Sequence, residues 1–80
     1  MSNESLISAI EYYMDNGNGS LHFYFPSGVY TSSHVIVPCG GEYVIGDNLF
    51  IKKVDGVHRI IILDKVNHFE YFETMEEKDE

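Results

Sequence analysis

Tryptophan is absent from this chain, cysteine occurs once, proline twice, and lysine and arginine together number only five. Each shortage closes off a class of protein. With Cys39 alone, no internal disulfide can form. The four histidines, His22, His34, His58 and His68, share no short spacing with one another or with Cys39, so no zinc pattern emerges. The longest fully apolar run, Ile60 to Leu63, is far too short to span a bilayer. Thirteen Asp and Glu against five cations leave a net charge of −8, which repels long duplex nucleic acid and anionic membranes. The lone cysteine and the lack of a signal-peptide pattern give a cytoplasmic protein as the expectation.

What remains is an eighty-residue chain read as one domain over residues 1–72, followed by an acidic tail over 73–80. A chain this small buries only roughly two-thirds of its surface on folding, so without disulfides or metal the expected extra stability is oligomerisation. Leu6, Ile7, Ala9, Ile10, Tyr13 and Met14 recur at helical spacing, with Ser2 or Asn3 to cap the start. Asn16-Gly17-Asn18-Gly19 stops the helix, an end where left-handed backbone is expected.

Strand patterning follows. Leu21, Phe23 and Phe25 alternate with His22 and Tyr24, and Pro26-Ser27-Gly28 marks a turn. Val29 to Val37, Glu42 to Ile45, Leu49 to Val54 and Val57 to Leu63 read as four further strands, the last two joined by Asp55-Gly56, a strong hairpin signal. Beyond Asp64 both periods fit: Val66, Phe69 and Phe72 suit a helix, while Phe69 and Tyr71 alternating with His68 and Glu70 suit a strand. A turn over 64–67 and then a strand is the preferred reading. The expected fold class is α+β: an N-terminal helix followed by a small, strongly bent antiparallel sheet of five or six strands, or a barrel, which would remove exposed edges.

That order, with Ser27-Gly28 after an alternating strand, Asp55-Gly56 before another, and the closing segment Leu63 to Phe69, resembles the Sm-like fold, including its Hfq branch. The resemblance implies a barrel whose final strand joins neighbouring subunits into a ring. The chain departs from that pattern at Ser33, where the family has a glycine, at Asp64-Lys65, near where Hfq has a Lys-His pair, and in the longer stretch from Cys39 to Asn48.

No catalytic apparatus is recognisable, and no cofactor is expected. Cys39 in Pro38-Cys39-Gly40-Gly41 reads as a turn residue, because a nucleophilic cysteine needs a base that no local signature supplies. Gly40, Gly41 and Gly46 lack the following helix that a phosphate loop requires. The candidate ligand-binding residues are Tyr24 and Tyr30, which flank a turn, and Lys52, Lys53 and Arg59 on the hairpin; Lys52 and Lys53 point to opposite faces, so at most one of them joins Arg59. The expected function is a non-catalytic homo-oligomer that captures a small anionic ligand, a nucleotide or short oligonucleotide. Its profile is similar to that of small phage- or plasmid-borne proteins that sequester immune signalling nucleotides. The alternative is an acidic inhibitor or adaptor that docks on a basic protein through its negative charge and exposed tyrosines.

Overall fold

The computed structural model of the protein describes residues 3–26 and 34–74. Ser2, Tyr30, Ser33, the Ser27-Gly28 turn, the start of the expected second strand and the end of the acidic tail lie outside the described residues.

The helix α1 spans Glu4–Asn16. Its apolar stripe buries Ile10 and Met14, with Leu6, Ile7 and Tyr13 packed beside them. Asn3 stands at the N-cap but makes no side-chain capping bond. Its amide instead donates to the Asp47 carbonyl at 3.0 Å and to Asp64 Oδ1 at 2.9 Å, tying the helix start to two distant turns. The helix ends at Gly17 as expected, yet not in the expected conformation: φ −81° and ψ 161° are extended. What this position needs is the missing Cβ. A methyl there would stand 2.6 Å from the Tyr13 carbonyl oxygen and 2.8 Å from the Tyr71 ring.

Six strands follow: β1 Ser20–Tyr24, β2 His34–Pro38, β3 Tyr43–Ile45, β4 Leu49–Val54, β5 Val57–Ile62 and β6 His68–Phe72. They form two three-stranded antiparallel sheets in the orders β2-β1-β6 and β3-β4-β5. The α+β class is therefore correct, while among the described residues the strands form neither the single bent sheet nor the closed barrel expected. Closure fails at both crossings between the sheets. Pro38 ends β2 without an N–H to extend a ladder, and Gly40 and Gly41, at φ +87° and +79°, turn the chain away. Leu63–Lys65 then form one turn of 3₁₀ helix that carries the chain from β5 back to the first sheet. The expected turn and final strand after Asp64 are present, and the helical alternative is not. The final strand pairs with β1 of its own chain, where the Sm-like resemblance implied pairing with a neighbouring subunit.

One core lies between the sheets and the helix. It is built from Leu21, Phe23, Phe25 and Val37 of the first sheet and its loop, Phe50, Ile61 and Leu63 of the second, and Ile10 and Met14 of α1. Period-two alternation does the sorting: Leu21 and Phe23 point inward and are fully buried, so Ser20, His22 and Tyr24 must point outward. Half-buried tyrosines tie the layers together. Tyr71 stacks on Tyr13 with ring centroids 4.4 Å apart and donates to Asn18 Oδ1, and the Tyr43 hydroxyl donates to Asp15 Oδ1.

Candidate functional site

The β4–β5 hairpin carries three of the five cations. Asp55 and Gly56 turn it at φ 53° and 81°, the positive-φ pair that a two-residue hairpin turn requires and that these residue types accept. The register then places Lys52 directly opposite Arg59, and Lys53 opposite His58. Lys52 and Arg59 share the face that continues inward to Phe50 and Ile61, while Lys53 and His58 lie on the outer face. Of the two lysines it is Lys52 that shares the face of Arg59.

Like charges directly opposed across a strand pair are destabilising. Acids are abundant in this chain, yet among the described residues neither Lys52 nor Arg59 has a carboxylate within salt-bridge distance; the ion pair found there is His68 with Glu70. Lys52 reaches back over Gly41, where an added methyl would lie 3.3 Å from Nζ. Arg59 lines a cavity of about 150 Å³ with Phe25, Val35, His58, Ile60 and Ile61. Cys39, half-buried against the core, stands close enough to Lys52 to feel its charge, but burial dominates and pushes the thiol upward.

Tyr24 lies elsewhere, on the outer face of the first sheet. The structure therefore does not bring the expected tyrosine and cations together within one chain. Tyr24 instead belongs to a cluster that the sequence spacing concealed. It sits in register between His34 and His68, and its neighbour on the same face, His22, sits between Ile36 and Glu70. Tyr24 stacks on His34 at 4.4 Å and 12°. Ser20 Oγ lies 3.1 Å from His22 Nε2, and His22 Nδ1 lies 2.9 Å from His34 Nε2. This chain is self-consistent when Ser20 donates to Nε2, leaving the His22 proton on Nδ1 to be donated onward. On the other flank His68 Nε2 donates to Glu70 Oε2 at 2.9 Å, and Tyr24 donates to Glu70 Oε1 at 3.2 Å.

Electrostatics follow from these contacts. The hydrogen bond from His68 holds the Glu70 carboxyl below its ordinary range, with partial burial opposing and Tyr24 assisting. Burial, and then the proximity of His34, lower His22, against a smaller opposing pull from Glu70. Burial and the bond to Glu70 raise the Tyr24 hydroxyl. The face thus carries three imidazoles and a phenol beside one carboxylate. Among the described residues no group of three or more His, Cys, Asp or Glu side chains is arranged to hold a metal ion.

Nor is any helix among them long and apolar enough to cross a membrane. No family model, curated protein or solved structure matches this chain.

Proposed function

We infer that the protein is a non-catalytic, homo-oligomeric binding module that captures a small anionic ligand, a nucleotide or short oligonucleotide, between Lys52 and Arg59. The observation that carries this reading is the like-charge pair itself. In a chain of net charge −8, two opposed cations without a carboxylate partner among the described residues are a cost to the free protein. An anion shared between them reverses the sign of that interaction, because phosphate and carboxylate oxygens accept from both side chains at once. The adjoining cavity beside Arg59, apolar on Phe25, Val35 and Ile61, gives the ligand an apolar flank beside the charged contact. At about 150 Å³ it holds part of a nucleotide, the rest lying over the open hairpin.

Native mass spectrometry of the full chain after expression should show a retained small anion. Calorimetric titration with ATP should show saturable binding that K52A and R59A each weaken by about tenfold, the size of one charge-assisted contact. Lys53, on the opposite face, should be dispensable for that contact. No binding of ATP or of a short oligonucleotide, together with tight, steeply salt-dependent association with a basic protein, would favour the acidic adaptor instead.

A further inference from the structure

Among the described residues nothing covers the outer face of the second sheet. Register and alternation place Val44, Ile51 and Ile60 in one row across its three strands, and Leu49 and Ile62 in the next. Val44 is 64% exposed, Ile60 52% and Leu49 41%, although each sits in regular strand. Antiparallel sheets with one solvated face ordinarily put polar residues there. Five adjoining aliphatic side chains on one open face instead mark an interaction surface.

The two ends of this face differ in charge. At the hairpin end stand Lys53 and His58 on the face itself, with Lys52 and Arg59 behind them, against Asp55 and Glu42. At the opposite end are Asp47, before β4, and Asp64, after β5, both exposed and both held by Asn3, with Lys65 the one cation of that turn. A groove of about 510 Å³ runs along the hairpin end, over Val44 and Ile51 and beneath Lys53 and His58.

We propose that this face binds a second copy of the chain, sheet against sheet with strands antiparallel, so that the Lys53 and His58 end of each copy lies on the Asp47 and Asp64 end of the other. A two-fold axis in the interface, perpendicular to the strands, makes this contact twice. The alternative axis, along the strands, would set Lys53 against Lys53 and Asp47 against Asp47. Charge therefore selects the first arrangement, and the aliphatic rows meet in either. Leu49 of one copy then enters the groove of the other. Three strands about 4.8 Å apart and up to six residues long give a face of about 15 by 20 Å. That is below the size of a permanent interface, so the dimer belongs to the weak class that dissociates on dilution. This proposal names the surface behind the oligomer in the binding-module reading, and it leaves the inward-facing Lys52 and Arg59 pair available to ligand.

Sedimentation equilibrium of the ligand-free full chain, from low micromolar to millimolar concentration, tests it. A monomer–dimer equilibrium is expected, abolished by I60D and weakened about tenfold by K53E or by D47K alone. The K53E/D47K double exchange should return it to within about threefold of the parent, since the two charges then meet again with signs reversed. Circular dichroism accompanies each variant, and V44D, on the exposed edge strand, replaces I60D should that chain fail to fold. A parent chain monomeric at millimolar concentration, or a dimer indifferent to both aliphatic substitutions, overturns the proposal. A double exchange that fails to restore association overturns the antiparallel pairing. ATP binding is measured separately: a dimer that binds no ATP removes the ligand reading alone, and a monomer that binds it through Lys52 and Arg59 removes the dimer alone.

Discussion

Replacing Lys52 by glutamate sets stability against function in a single variant. In the free protein Lys52 and Arg59 face each other across β4 and β5 as like charges. A glutamate at 52 turns that repulsion into an attraction at the same register position. Cross-strand charge pairs contribute roughly 0.2–1 kcal/mol in either sense, so reversing the sign should stabilise the chain by about 0.5–2 kcal/mol. Screening by solvent at the exposed Arg59 favours the lower half of that range. For a domain this small, 1 kcal/mol moves Tm by about 4–8 °C. Thermal unfolding at low salt should therefore place K52E a few degrees above the parent, with the difference shrinking as salt is added. The same variant should lose ATP binding, and ATP should raise the Tm of the parent alone. A K52E chain that melts below the parent, or one that melts higher while retaining ATP affinity, refutes the reasoning, since the pair would then be neither a cost nor a site.

Other predictions test the frame around this hairpin. A methyl at Gly19 would lie 1.8 Å from the Phe72 carbonyl oxygen, so Gly19→Ala must push β6 from β1 and should cost at least the 1–3 kcal/mol typical of overpacking, read by denaturant unfolding. Phe23→Ala and Phe50→Ala empty fully buried sites whose rings lie 5.8 Å apart, each costing about 3–5 kcal/mol, which a marginal domain of this size does not survive. The folded-state values of His22 and Glu70 are both depressed, so the unfolded chain takes up protons first and each contribution is lost as pH falls. Stability should be full above the ordinary histidine value of 6.5, decline below it as the unfolded His22 charges, and decline again in the acid carboxylate range through Glu70. Melting at stepped pH should show the first decline removed in His22→Gln and the second in Glu70→Gln.

The legible parts of this fold were those decided by neighbours in sequence. The stripe from Leu6 to Met14 and the Asp55-Gly56 turn each specify local backbone, and α1 and the β4–β5 hairpin are where those residues put them. The opposed Lys52 and Arg59 followed, since a two-residue turn fixes register. Barrel closure was not legible, because it depends on whether β2 and β3, or β5 and β6, meet in space. Pro38 and the glycines after it, with the 3₁₀ turn at Leu63, decide that they do not. The imidazole cluster was hidden for a related reason. Alternation with Leu21, Phe23, Val35, Val37, Phe69 and Tyr71 turns His22, His34 and His68 outward, but nothing local says that β1 lies between β2 and β6. Strand order, set by the shared core, creates that cluster.

Backbone amide spectra recorded while ATP is added to the isotope-labelled chain bear most directly on the anion site. Saturable shifts centred on Lys52 and Arg59 and their β4–β5 neighbours, absent in K52E, are the predicted result. Saturation confined to Tyr24, His22 and His34 on the other sheet, or no saturable change at all, contradicts it.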